Sequence, residues 1–368
     1  MVSRVDPGAL RMLMALNAWP GLGPARLKRL VAAAGSFTAL AADPARWWIV
    51  LDQRAGRCPS AEHLAILGCQ QETALTACAA SLITQEDPTW PQALEDLAHP
   101  PPLLFLLGNP VVLSDQATRL AVIGARACTP YGREQAARFG SGFACQGVTV
   151  VSGAARGIDQ SAMRAAVDVG GRVVAVLGCG LDRPYPSDAL PLLADLVAAG
   201  GAVVSEFPFG MSPQAGNFPR RNRVLAALCR AVVVVQATRK SGSMNTVAWA
   251  LTLGRDVYAL PGPVDCAASQ GPHLLLKEGA ALAEGPLDVM RSSQNQASAE
   301  ELGQEPRALE ALRAEDKSLA RLAEELGDAE DVVLLELVQL EMQGRVVRRA
   351  GGAYHRCGPS HSRDRPPP

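Results

Sequence analysis

At 368 residues, 48% of them hydrophobic, the chain is long enough for two or three domains, each with a core of its own. No apolar run approaches the roughly 20 residues a membrane-spanning helix needs; residues 1–20 hold Asp6, Asn17 and Pro20 and no small-residue cleavage site, so neither anchor nor secretory leader is read and the cytoplasm is expected. The net charge of −1 conceals an asymmetry: between Arg119 and Arg255 fifteen Lys and Arg face seven Asp and Glu, with acidic segments on either side, so a polyanion would bind at the centre.

The nine cysteines form no C-x-x-C pair, and no His stands at ligand spacing. Neither a zinc site nor a disulfide framework is expected, and the thiols read as reduced, most of them small core residues.

Residues 1–85 read as a helical domain. Leu10, Leu13, Met14 and Leu16 mark one apolar face and Leu27, Leu30 and Val31 a second. Between them Pro20-Gly21-Leu22-Gly23-Pro24 and then Ala25-Arg26-Leu27-Lys28-Arg29 resemble a helix-hairpin-helix (SAM-like) turn, which offers backbone amides to a phosphate. A plain helical pair joined by a Gly/Pro turn fits the same letters. After a proline-rich transition (Pro88 to Pro102) comes a short apolar strand, Leu103 to Leu107.

The segment 86–290 alternates valine-rich runs with amphipathic stretches. Strands are predicted at Leu120–Ile123, Val148–Val151, Val173–Leu177, Ala202–Val204, Ala231–Val235 and Val257–Leu260, and helices at 131–145, 158–169, 189–199, 221–229 and 243–253. This is the pattern of an α/β, Rossmann-like, mainly parallel doubly wound sheet covered on both faces. Residues 291–306 read as a polar linker. Three helices and a hairpin over 307–357 fit a winged-helix domain, and 358–368 read as a disordered tail.

Ligands of such a sheet bind at the carboxyl ends of its strands. The loops predicted there carry Gly124-Ala125-Arg126, Ser152-Gly153-Ala154-Ala155-Arg156-Gly157, Gly178-Cys179-Gly180, Phe218-Pro219-Arg220-Arg221-Asn222-Arg223 and Ser241-Gly242-Ser243. Glycine lets backbone approach an anion, a following helix aims its free amides at it, and arginine supplies a planar fork. Phe218 beside three arginines suits a surface on which a base stacks and phosphates are neutralised. The competing reading of that run is a helix start whose arginines pair with Glu206. No P-loop and no G-x-G-x-x-G fingerprint is present, so no cofactor, metal or catalytic set is expected. Glu206 and Asp159 are the best acid–base candidates, and Asp159 reads better as a brace for its own loop.

In order, Gly124–Arg126, Ser152–Asp159, Gly178–Pro186, Ser205–Pro208, Phe218–Arg223, Ser241–Thr246, Pro261-Gly262 and Gly279-Ala280 resemble the signatures of the DNA-processing protein A family (DprA, also called Smf) over roughly residues 95–290. The resemblance implies an extended Rossmann fold that binds single-stranded DNA, protects it during natural transformation, helps load RecA recombinase and forms a homodimer. It implies a DNA pocket lined by Arg126, Arg156, Phe218 and the Arg220–Arg223 run. Ala125 stands where the family has Ser, and Val247 where it has Ala. An apolar patch at Leu274 to Leu276 is a candidate dimer face, with burial in the domain's own core as the other explanation.

Two other functions fit parts of the chain. A nucleoside-monophosphate-processing enzyme on a related fold would place a Glu just after the last glycine turn, but Val247 to Leu253 contains no acid. A transcription factor reading duplex DNA would need a basic recognition helix, and the third C-terminal helix carries Glu330, Asp331, Glu336 and Glu341 with no Lys or Arg. A protein contact is expected there, with Arg345, Arg348 and Arg349 on the wing as its DNA-facing charges.

Overall fold

Short valine-rich strands set the architecture. The computed structural model describes residues 6–48, 59–290, 307–312, 316–342, 345–349 and 352–356. The chain divides into two compact units, Met1–Arg291 and Ser292–Pro368. The predicted linker and tail lie outside the described residues.

In the first unit, α1 (Pro7–Ala18), α2 (Pro24–Ala34), α3 (Phe37–Ala42), α4 (Pro44–Trp48) and α5 (Ala61–Ala77) precede β1 (Ser81–Ile83) and β2 (Leu104–Gly108). The alternating part follows: β3 (Arg119–Ile123), α6 (Pro130–Cys145), β4 (Thr149–Ser152), α7 (Ile158–Asp168), β5 (Val173–Val176), α8 (Leu190–Ala198) and β6 (Ala202–Ser205). It ends with α9 (Asn217–Ala227), β7 (Ala231–Val234), α10 (Ser243–Thr252), β8 (Asp256–Ala259), α11 (Gln270–Lys277) and β9 (Ala281–Leu282). The nine strands form one sheet in the order β1-β2-β6-β5-β4-β3-β7-β8-β9. It is parallel from β6 to β9, and β2 joins antiparallel to β6 with β1 antiparallel to β2. β1 lies inside the segment expected to be helical.

The alternation of side chains decides what each face buries. Leu120 and Val122 of β3 share a core with Phe139 and Phe143 of α6, Ala162 of α7 and Leu192 of α8. Ala121 and Ile123 share the opposite core with Val224 of α9, Val247 of α10 and Leu275 of α11. Val247, a departure from the family pattern, is thus a core residue. The helical N-terminal segment belongs to the first of these cores through Leu13, Met14 and Leu64. Gln71 ties it further, donating to the Phe209 carbonyl (3.2 Å) and accepting from its amide (2.9 Å).

The structure bears on three expectations. Helix α9 begins at Asn217, four residues before its predicted start, so Phe218 and the arginine run occupy its first two turns. Leu275 is buried and Leu276 packs against the same core, so these two serve the sheet's own interior, while Leu274 is half-buried. Of the described cysteines only Cys179 and Cys229 are buried; Cys69 on α5 and Cys145 at the end of α6 are exposed. All the described cysteines are free thiols, and burial pushes the Cys229 thiol up to about 12.

The second unit runs α12 (Arg307–Ala311), β10 (Lys317–Ser318), α13 (Leu319–Leu326), α14 (Glu330–Met342), β11 (Val346–Arg348) and β12 (Ala353–Arg356). Its strands pair antiparallel in the order β10-β12-β11, around a core of Leu309, Leu322, Val333, Leu337 and Tyr354. No helix among the described residues is long and apolar enough to cross a membrane.

Candidate nucleic-acid interface

β3 is flanked by β4 on one side and β7 on the other, so the chain leaves the sheet's centre in opposite directions. A crevice opens at the carboxyl ends of such strands. It holds two adjoining cavities. The larger, about 530 Å³, is lined by Gly124, Arg126, Asp159, Phe218, Arg221, Asn222, Ser241 to Ser243, Asn245 and Thr246, among others. The smaller, about 300 Å³, shares Arg126, Phe218 and Arg221 and adds Gly153, Arg156 and Tyr185.

Arg126 is exposed and has no hydrogen bond or carboxylate partner among the described residues. Its guanidinium lies over the Phe218 ring, 5.5 Å from the centroid, and the Tyr185 ring also meets that ring, at 5.7 Å. Gln236 fixes the loop that carries Arg126: its carbonyl accepts from the Ala125 amide (2.7 Å) and its side chain pairs with Thr129. Gly157, at φ +83°, lets the loop after β4 close on the loop after β3; a Cβ there would stand 2.4 Å from the Ala125 carbonyl oxygen.

Arg221 is the floor of both cavities and is only 6% exposed. Its Nη1 donates to the carbonyls of Gly153 (2.9 Å) and Val176, and its Nε donates to Asn222 Oδ1 (3.0 Å). Gly153 is required by this packing, since a Cβ would fall 2.6 Å from Arg221 Nη2. Burial lowers the guanidinium from the usual arginine range, with Asp159 pulling the other way.

Asp159 braces its loop, as its position suggested: Oδ2 accepts from the amides of Gly153 (3.1 Å) and Ala155 (3.3 Å). Burial raises its carboxyl from 3.8 to about 6, against the opposing pull of Arg221 and the loop amides. A folded pKa above the unfolded one means that the carboxyl contributes most to stability below about pH 4 and that this contribution is lost as pH rises through about 6. Urea unfolding at pH 5 and pH 7.5 should show about 1.4 kcal/mol more stability from this group at the lower pH. Asp159→Asn keeps an acceptor and should flatten that difference, whereas an unchanged pH response in the variant would place the titration elsewhere.

The predicted arginine run does not act as one patch. Arg220 and Arg223, three residues apart on one side of α9, both reach Glu206 Oε2, at 3.1 and 2.5 Å. Arg223 also donates to the His99 carbonyl (2.7 Å), and Arg220 lies over Phe207 at 4.8 Å. Arg221 projects to the other side, into the sheet. The Glu206 pairing is therefore the correct reading for two of the three arginines. Arg156 lines the smaller cavity with Asp188 at 2.7 Å, both side chains well exposed, an arrangement solvent screens strongly.

The remaining predicted residues divide. Gly124, Asn222, Ser241, Gly242 and Ser243 line the larger cavity. Ser152 does not: it is fully buried, and its hydroxyl donates to the Val122 carbonyl at 2.7 Å. Gly178 is buried against the Phe218 ring, and the Gly180 amide donates to the Met211 carbonyl (2.9 Å), so both are packing positions. Tyr185, Asn245 and Thr246, which stood in the matched segments but not among the candidate site residues, also line the cavities. Sequence reasoning passed over Arg239 and Lys240, exposed and unpaired among the described residues, in the loop whose Thr238 and Ser241 form the rim. Two adjacent cations directly before the Ser241-Gly242-Ser243 helix start were the available signal.

With this geometry in hand, the comparisons are specific. The family described as DNA recombination-mediator protein A matches residues 81–294, more than half of the chain. The chain belongs to that family. It is 43% identical to Protein Smf of Escherichia coli over 213 residues, which cover 58% of this chain and 56% of Smf. It thus spans a little over half of that relative's length. Among solved structures, DNA processing protein A of Streptococcus pneumoniae superposes with a TM-score of 0.62 at 29% identity, covering 78% of this DprA-family chain and 98% of that one. The Helicobacter pylori protein, described by its single-stranded DNA binding mode, superposes with a TM-score of 0.53 at 28% identity over 59% of this chain and 96% of that one.

Proposed function

We propose that this DprA-family chain binds single-stranded DNA at the carboxyl edge of β3 and β7, with little sequence preference and no covalent chemistry. One observation carries the reading: the Arg126 guanidinium, unpaired among the described residues, lies over the half-buried ring of Phe218 at the mouth of a glycine- and serine-lined cavity. An aromatic ring accepts any base face, and an unpaired guanidinium beside it takes the adjoining phosphate. In a duplex the base faces are stacked away, which favours a single strand. Similarity to the H. pylori protein points the same way.

Binding is favoured over turnover by how the polar groups are already engaged. The Ser243 hydroxyl donates to the Gly124 carbonyl at 2.9 Å, and Ser241 bonds Ser243. Asp159 holds loop amides. Protection of incoming DNA in the cytoplasm, delivery to RecA and homodimerisation extend the proposal on the strength of family membership. In the second unit α14 exposes Val332, Leu334 and Val338 among its acids, a surface suited to a protein partner better than to phosphates.

A labelled oligonucleotide titration tests the central claim. Raising salt from about 50 to about 200 mM should weaken single-strand binding roughly twentyfold, for three or so phosphates neutralised. Duplex of the same sequence and free mononucleotides should compete poorly. A salt-independent affinity, or tighter binding of a mononucleotide than of the strand, would overturn it in favour of an enzyme.

A further inference from the structure

A third cavity, about 400 Å³, opens beside the central one and shares Pro219 and Asn245 with it. Its other walls are Leu97, Ala98 and His99 on one side, Arg220 and Arg223 of α9, Trp249 of α10, and Pro24 and Ala25 at the start of α2. Three features set this groove apart from a packing defect. Trp249 is half-buried, and its indole N–H has no partner among the described residues. Two guanidiniums share a single carboxylate oxygen, Glu206 Oε2, while Glu206 Oε1 and Arg220 Nε are buried without partners among the described residues, so two positive charges there face one described carboxylate. Finally, the Gly/Pro turn between α1 and α2, whose role the sequence left open, delivers its last residues to this groove.

We propose that the groove is a second nucleotide subsite, in which a base stacks on Trp249 and the adjoining phosphate lies at Arg220 as the strand leaves the central cavity over Pro219 and Asn245. The inference rests on the single-strand reading above and adds to it a path and a second stacking platform. The chemistry is that of the first subsite repeated: an aromatic face beside a guanidinium, as Phe218 stands beside Arg126. The α2 turn forms the far wall, which gives the N-terminal helices a part in holding the strand.

The test uses the full chain and two thymidine oligomers, one of about three nucleotides and one of about twelve, which brackets the site size of one binding module. Trp249→Ala should weaken the longer oligomer roughly tenfold, the loss expected for one base stack, and leave the shorter one within about twofold. Trp249→Phe should restore most of the longer oligomer's affinity. Because Trp249 also packs against the sheet's second core, the wild-type chain provides an independent measurement. An oligomer bearing 5-iodouracil at successive positions should photo-crosslink to the peptide containing Trp249 as well as to that containing Phe218. Equal weakening of both oligomers, no weakening of either, or crosslinks confined to the Phe218 peptide would each overturn the second subsite while leaving the first intact. Failure of the wild-type chain to bind either oligomer would remove both.

Discussion

Arg126→Ala is expected to weaken single-strand binding at least tenfold at about 0.1 M salt, the scale of one charge-assisted contact with its share of counterion release. The reason is local. Arg126 is exposed, makes no ion pair or hydrogen bond among the described residues, and meets the protein chiefly through the Phe218 ring. A side chain with so few contacts in the free protein contributes little to folding, so the thermal midpoint should move by no more than roughly 2 °C. The salt slope should fall by about 0.7, one phosphate's worth for a single strand. Arg126→Lys keeps the charge but loses the planar fork and the stack on Phe218, and should recover only part of the affinity. An affinity within twofold of wild type in Arg126→Ala would remove the observation on which the proposed function stands.

How much of this was legible beforehand depended on the kind of signal. The sheet was readable because its strands are buried on both faces: continuous apolar runs such as Ala231 to Val235 can be little else when amphipathic stretches separate them. The position of the crevice followed from topology, and Gly124, Arg126 and Ser241 to Ser243 could be placed there from the strand ends alone. Orientation within a helix was not readable. Asn217-Phe218-Pro219 looks like a loop, since proline breaks helices, yet Pro219 sits in the first turn of α9, where its missing amide costs nothing. Moving the helix start to Asn217 turns Arg220 and Arg223 towards Glu206 and Arg221 into the sheet. Net charge misled in the same way, because it counts guanidiniums without saying where they point. Arg119, Arg221 and Arg223 swell the positive block yet are 5%, 6% and 7% exposed. Arg119 spends its donors on the carbonyls of Leu228, Leu113 and Ser114.

Arg221→Ala should therefore act first on folding, which reverses the expectation drawn from a surface arginine. The change deletes donors to the Gly153 and Val176 carbonyls and to Asn222, and leaves a void where the guanidinium filled the space beside Gly153. It also strips Asp159 of its nearest stabilising charge, so that carboxyl should rise beyond its present value of about 6. Removing one member of such a buried set costs on the order of 3–5 kcal/mol, a fall of roughly 10 °C in the thermal midpoint of a domain this large. Arg221→Lys cannot reproduce three directed bonds and should recover little. The decisive comparison is the double variant with Asp159→Asn. If the two groups are coupled through the buried field, the pair should cost about 1–2 kcal/mol less than the sum of the single changes near pH 7, because the orphaned carboxylate is gone. The gap should close near pH 5, where Asp159 is already protonated. Additive losses at both pH values would mean that Arg221 acts through its carbonyl bonds alone, and a loss of DNA affinity without any loss of stability would return it to the surface role.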